Sequence, residues 1–325
     1  MTMELACNFA TTIDTPEHIR IAEELGYVSA WPFYSPGIYA DPWMVLAVAA
    51  ERTSTIGLGI SVIVPRLRHV SDVASSVATL ENLAPGRVTI VVGSGFSSTA
   101  MLRQKSVPWA VVETFVVQLR TLLAGGEIDV DGNRCSMLHS SLVGLNLPLD
   151  VPLWVAAHGP KAFGVASRVA NGVITNPTHG DNRIAFDGPR AVSGYGTVLD
   201  SGETYDDAAV LDRVGPAAAL ALHMGPHGPL AGSDEEIGFT TAINALPEVD
   251  RLVETHRGHM VVLSDLDRKF LTGNAVRNGT VSGTAEQIRD QLEVIEEGGA
   301  TRFCYAPVGD DIPRELERFA AAFYG

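Results

Sequence analysis

Pro152-Leu-Trp-Val-Ala-Ala157, then His158-Gly159-Pro160-Lys161, then a helical run, then Asn171-Gly172-Val-Ile-Thr-Asn176: this stretch decides the fold. An apolar six-residue run breaks at a Gly-Pro step, opens a helix and returns through Asn-Gly to a second short apolar run, the pattern of a βαβ unit. A Gly-Pro step at a helix start leaves backbone N–H groups free, where an anion such as a cofactor phosphate can sit. Gly159 and Pro160 serve equally well as an ordinary helix start, with Pro160 in the first turn.

The same alternation runs outward in both directions. On the N-terminal side, Leu5-to-Phe9 reads as a strand, and Thr15-Pro16-Glu17 starts a helix, with Thr15 as its cap, that ends at Gly26. Tyr27-to-Trp31 is a second strand, Asp41-Pro42 opens a helix through Arg52, and Ile56-to-Val64 is a nearly continuous apolar run. Such a run is how a strand covered on both faces reads, which favours a parallel sheet. A helix from Ser71 to Leu83 precedes the strand Arg87-to-Gly93, and a helix Trp109-to-Leu123 precedes a hairpin, Glu127-to-Cys135, turning at Asp131-Gly132.

Beyond the opening unit, Ser193-to-Leu199 is a seventh barrel-strand candidate and Thr301-to-Ala306 the eighth, with helices Thr284-to-Glu297 and Pro313-to-Phe323 on either side of the latter. Eight strands alternating with helices predict an α/β fold, a (β/α)8 TIM barrel whose working face is the C-terminal rim of its strands. The reading is one barrel domain over residues 1–325. Residues 200–278 exceed one strand–helix unit and read as an insertion or lid region before the last strand.

Composition narrows the function classes. The 325 residues are 46% hydrophobic and 19% charged, enough for a large core, and the formal charge of -15 disfavours nucleic acid or an anionic membrane as partner. Cys7, Cys135 and Cys304 lie far apart with no C-x-x-C spacing, which predicts neither a zinc site nor a disulfide framework and suits a reducing cytoplasm. The longest apolar runs, such as Trp43-to-Ala50, are too short to span a bilayer, and the N-terminus does not read as a signal segment.

Candidate chemistry gathers at predicted strand ends. Arg66, Arg68 and His69 follow the third strand: the arginines suit a carboxylate or phosphate, or ordinary ion pairs, and His69 is a candidate acid or base. Gly93-Ser94-Gly95 after the fourth strand permits close backbone approach, or simply a tight turn, and Phe96-Ser97-Ser98 does not complete a dinucleotide fingerprint. Glu51, Glu113, Asp181 and Asp265 are isolated carboxylates. His223 and His227, four apart, are separated by Gly225-Pro226, which undermines a helical metal pair; no metal site is expected.

In this order and spacing, the segments Asp41-to-Thr53, Ile56-to-His69, Thr79-to-Arg87, Val91-to-Gly95, Pro152-to-Asn176 and Gly283-to-Arg289 resemble the luciferase-like monooxygenase superfamily, in its flavin- or coenzyme F420-dependent oxidoreductase branch. The resemblance implies hydride transfer between the deazaflavin coenzyme F420, or alternatively FMN, and a small organic substrate. It also implies a homodimer. By position it implies a non-proline cis peptide at Ser61-Val62 behind the cofactor ring, with Gly93, Ser94, Gly95, Phe96, Ala157, Gly159, Pro160, Lys161 and Asn176 lining the ring and phosphate pocket. Arg66 and Lys161 would be charge partners for phosphate or an acidic tail. Many deazaflavin-dependent members carry an Asp-His pair after the second strand; Trp31-Pro32-Phe33-Tyr34 stands there, and Phe96 stands where some place a carboxylate. His69, Tyr34 and His158 are the substitutes for the missing catalytic groups. A flavin-binding protein without catalysis is the remaining alternative.

Overall fold

The computed structural model describes residues 1–176 and 186–325. Its eight-stranded closed barrel comprises β1 (Glu4–Phe9), β2 (Ser29–Pro32), β3 (Gly57–Ile63), β4 (Val88–Val92), β7 (Leu153–Ala156), β8 (Gly172–Thr175), β9 (Arg190–Tyr195) and β10 (Arg302–Ala306). Between β4 and β7 lies a separate antiparallel hairpin of β5 (Glu127–Val130) and β6 (Asn133–Ser136). Every barrel pairing is parallel, and β10 closes against β1 through the register Glu4↔Arg302 to Cys7↔Tyr305. All eight C-terminal strand ends therefore share one rim.

Period-two alternation sorts the strand residues. Leu5, Cys7 and Phe9 of β1 pack outward into the core shared with the helices, whereas Ala6 joins Trp31, Val91, Trp154, Ile174, Ala191 and Cys304 inside the barrel. Trp31 and Trp154 meet edge to face at 5.2 Å, and Arg302, at the start of β10, lies 5.6 and 5.5 Å over their rings. The barrel is thus plugged from its N-terminal end. Nearer the rim the interior turns polar: buried Asn8 donates to the Trp31 carbonyl at 2.9 Å and accepts from Ser193 Oγ at 3.0 Å.

Helix starts follow local capping chemistry. Asp41 Oδ1 accepts from the Trp43 N–H at 2.9 Å and starts the helix Pro42–Arg52, while Thr284 and Gln287 form a capping box on the helix Ala285–Glu297. Two expectations shift. Thr15 is the first residue of its helix and not its cap, because its hydroxyl accepts from the Thr12 N–H at 2.8 Å. The strand placed at Ser193-to-Leu199 runs instead over Arg190–Tyr195; Val198 makes an isolated bridge to Gly283, since β9 pairs with β10 only as far as Tyr195.

Between β9 and β10 the chain adds the helices Ala208–His223, Asp234–Ala245, Glu248–Thr255, Asp265–Arg268 and Gly273–Gly279. They enclose their own apolar cluster, including Val210, Val214, Leu222, Phe239, Leu263 and Leu271. Ala306 and Val308, at the end of β10, belong to that cluster, so the insertion is seated on the C-terminal rim.

Candidate active site at the barrel rim

The third strand ends in a distortion. The Ser61-Val62 peptide is cis, as the resemblance implied, and the register of β3 against β4 shifts between Ser61 and Ile63. Beyond it the two arginines part company. Arg68 donates from Nε to Tyr34 Oη at 3.0 Å, pairs through Nη2 with Asp41 and reaches Asp72 at 3.3 Å, so its donors are spent within the protein. Arg66 is exposed and makes only long contacts, 3.3 Å to the Lys105 carbonyl and 3.5 Å to Gln104 Oε1. His69 caps the helix Val70–Leu83: its exposed ring accepts the Ser71 N–H at Nδ1, 3.2 Å away.

After β4, the loop Gly93-Ser94-Gly95-Phe96 is held from behind. Val107 donates its N–H to the Ser94 carbonyl at 2.7 Å, and Ser106 Oγ donates to the Gly95 carbonyl at 2.5 Å. Phe96 is left 74% exposed, an unusual state for a phenyl ring.

After β7, Ala157 is buried and bonds its N–H to the Ile174 carbonyl at 2.9 Å, aligning the turn with β8. His158 then occupies the cap position of the helix Gly159–Val169 without a side-chain capping bond; its Nδ1 lies 3.2 Å from Thr175 Oγ1. The residue is exposed, yet desolvation by the neighbouring protein draws its pKa below the usual histidine value. Gly159 has φ +76°, and a Cβ built on it would meet nothing within 4 Å. Among the described residues nothing fills the space beside Gly159, and Pro160, Lys161 and Asn176 are exposed around it.

A strap from the insertion crosses the same rim. Tyr39 Oη, after β2, donates to the His259 carbonyl at 3.2 Å, and Ser97 Oγ, after β4, lies 3.3 Å from His259 Nε2. Met260 and Val261 continue it over a cavity of about 60 Å3 shared with Phe9, Ala10, Pro307 and Val308, at the ends of β1 and β10. Sequence reasoning missed His256, His259 and Ser97. Their only signal is the His-x-x-His spacing within the insertion, which says nothing of where it lands. The pair it did single out does not stay together: His223 Nε2 is 2.8 Å from Asp267 Oδ1, while His227 ends the following turn Gly225–His227. Among the described residues no cluster of His, Cys, Asp or Glu could hold a metal. Asp181 lies outside them. A larger concavity of about 350 Å3, lined by Asp206, Glu235, Thr272 and Arg277, belongs to the insertion and contains none of these rim residues.

Residues 10–194, more than half of the chain, match the family described as luciferase-like monooxygenase. The chain belongs to that family. Among the relatives of this luciferase-like chain, an F420-dependent glucose-6-phosphate dehydrogenase of Beutenbergia cavernae is 36% identical over 171 residues, covering 47% of this chain and 49% of that enzyme. The chain thus spans about half the length of that curated relative. A 5,10-methylenetetrahydromethanopterin reductase of Archaeoglobus fulgidus is 24% identical over 318 residues, covering 92% of this chain and 91% of the reductase. The solved coenzyme F420-dependent tetrahydromethanopterin reductase of Methanopyrus kandleri superposes with TM-score 0.74 at 19% identity, over 99% of this chain and 98% of that one, which shows that the luciferase-like barrel is shared.

Proposed function

We propose that this luciferase-like protein is an oxidoreductase that moves a hydride between deazaflavin coenzyme F420 and a small organic substrate at its C-terminal rim. One observation carries the reading: the β3 bulge between Ser61 and Ile63 and the open helix start at Gly159 lie on the same rim, on strands separated by β4. The residues suit such a cofactor at both ends. Val62, Gly93 and Ala156 make a wall of small apolar groups fit for a flat ring, with Ser61 and Ser94 beside it. The uncapped N–H groups of the helix Gly159–Val169 suit a phosphate, with the exposed Lys161 and Arg66 proposed to meet further negative charge. The F420-dependent glucose-6-phosphate dehydrogenase relative, matched over about half of each chain, favours deazaflavin over FMN.

When bound, such a cofactor supplies the two-electron chemistry of its ring. The protein's part is orientation and electrostatics. Desolvation favours the neutral form of the His158 ring, which is proposed to donate or accept a hydrogen bond beside the cofactor ring. Tyr34 is held by Arg68 and is proposed to orient the substrate. His69 remains the weaker member of that trio because its Nδ1 is engaged as a helix cap. Residues 1–325 are proposed to work as one barrel domain with 200–278 as its lid. A cytoplasmic homodimer is part of the same proposal, supported by three free cysteines, two of them buried, and by the family resemblance.

Titration of the purified protein with deazaflavin and with FMN, followed by absorbance and fluorescence, tests the reading. Deazaflavin is expected to bind and FMN to bind more weakly. Preference for FMN would move the assignment to oxygen chemistry; binding without turnover would favour a carrier without catalysis; failure to bind either would end the enzyme reading.

A further inference from the structure

The strap delivers two imidazoles to the β4 loop. His259 Nδ1 is 3.3 Å from Nδ1 of His256, and His259 Nε2 is 3.3 Å from Ser97 Oγ. Two neutral imidazoles that meet Nδ1 to Nδ1 can share a hydrogen bond only when one nitrogen carries the proton and the other does not. The tautomer of one ring therefore dictates that of the other, and through Nε2 it dictates which way the Ser97 hydroxyl points. We propose that His256, His259 and Ser97 form a proton relay that ends at the barrel rim, with Ser97 Oγ as the group that exchanges a proton with the substrate. The inference rests on the rim being the place of hydride transfer.

The surroundings keep the relay neutral. Burial, then the neighbouring His256 and His223, hold the His259 pKa down to about 3, with Asp267 acting weakly in the opposite sense. Burial, then His223, lowers that of His256. Two further groups against the pair are uncharged: the Tyr39 hydroxyl bonds the His259 carbonyl, and Phe96 lies edge-on to His256 at 6.5 Å. His223 is anchored separately on Asp267 and, among the described residues, its buried Nδ1 has no partner, so among them the hydrogen-bonded chain stops at His256.

The proton balance closes without charging either ring. In the donor arrangement, His256 Nδ1–H points to His259 Nδ1, His259 Nε2–H points to Ser97 Oγ, and the Ser97 hydroxyl proton faces the substrate. That O–H bond breaks as the substrate atom made electron-rich by hydride addition takes the proton. Ser97 Oγ takes the proton of His259 Nε2, His259 Nδ1 takes that of His256 Nδ1, and His256 Nε2 takes one from water. One proton passes from water to substrate and both rings exchange tautomer. Substrate oxidation runs the same chain backwards, so a relay of this kind does without a carboxylate at the position of Phe96.

Long-range 1H–15N spectra of the full-length protein labelled at histidine test this at pH 7. Both rings are expected to be neutral, with Nδ1 and Nε2 shifts averaged between protonated and unprotonated values. Ser97→Ala should collapse both rings together to one tautomer, and Ser97→Thr should restore the averaging, which a fold defect would not do. Fixed tautomers that Ser97→Ala leaves unchanged, or a charged ring at pH 7, would overturn the relay. Deazaflavin titration of the same samples separates the two claims: Ser97→Ala should bind within about twofold of wild type. Fixed tautomers with binding intact defeat the relay alone, whereas averaged tautomers in a wild-type protein that binds no deazaflavin defeat the proposed function and with it the role given to Ser97.

Discussion

Gly93 and Val62 face each other across the β3 bulge so closely that a Cβ on Gly93 would lie 2.9 Å from Val62 Cγ2 and 3.4 Å from Ala156 Cβ. Val62 is β-branched, so it has little freedom to turn aside. Gly93→Ala is expected to displace Val62 and to destabilise the protein by about 1–3 kcal/mol. If Val62 forms the wall of a ring pocket, deazaflavin affinity should fall further than stability predicts. Urea unfolding and fluorescence titration of one variant give both numbers; unchanged affinity would remove Val62 from the pocket.

Gly159 separates conformational strain from lost binding. Its φ of +76° makes any side chain costly, at about 1–2 kcal/mol for alanine and less for asparagine, while the space its Cβ would enter is empty. Gly159→Asn should therefore fold nearly as well as wild type. Its side chain would compete for the helix's free N–H groups, and deazaflavin affinity is expected to drop about tenfold, equivalent to a helix-terminus interaction of 1–2 kcal/mol. Unchanged affinity would place the phosphate elsewhere.

Arg68 links three elements: Tyr34 after β2, Asp41 at the start of the next helix and Asp72 in the first turn of the helix Val70–Leu83. A lysine cannot reproduce this fork. Arg68→Lys is expected to lower stability by about 1 kcal/mol, the scale of a partly exposed pair. Asp41→Ala should cost about 1 kcal/mol more than that, because it also removes the cap on the Trp43 N–H. Combined, the two changes should cost less than their sum, which a double-mutant cycle in urea would measure.

Glu23 should leave a pH signature. Burial alone would raise its pKa, but the N–H groups of Ile56, Thr55 and Ser54 and the Thr55 hydroxyl bring it down to about 2. A carboxylate with a depressed folded-state pKa contributes stability above its unfolded pKa, near 4.3, and loses it as pH falls toward 2. Because Glu23 is largely solvent-screened, the effect at pH 7 is discounted to about 1 kcal/mol. Glu23→Gln should therefore be less stable than wild type at pH 7, and the gap should narrow below about pH 4.3. A gap independent of pH would show that the contacts act without the charge.

Much of the frame was legible because it depends on local chemistry. The helices Pro42–Arg52 and Trp109–Leu123 and the turn at Asp131-Gly132 stand where Asp-Pro, apolar spacing and Asp-Gly put them. Doubly covered strands announce themselves as continuous apolar runs, and eight of them separated by helices leave few topologies. Gly172 was legible only as punctuation. In the folded chain its missing Cβ, which would lie 2.3 Å from Trp154 Cε2, lets that indole fill the barrel.

The sequence by itself determined a parallel barrel with a long insertion before the last strand, since both follow from residue patterns a few positions apart. Only the tertiary structure decided what each rim residue does. Arg68 and His69, adjacent to Arg66 in the chain, are consumed by Tyr34, Asp41 and a helix start, while Arg66 stays available. His259 reaches Ser97 across 162 positions because the insertion packs its apolar cluster on the end of β10 and carries the strap over the rim. A histidine's role depends on the nitrogen or oxygen that faces its ring, and that partner is chosen by packing between distant segments, which leaves no pattern in the linear order.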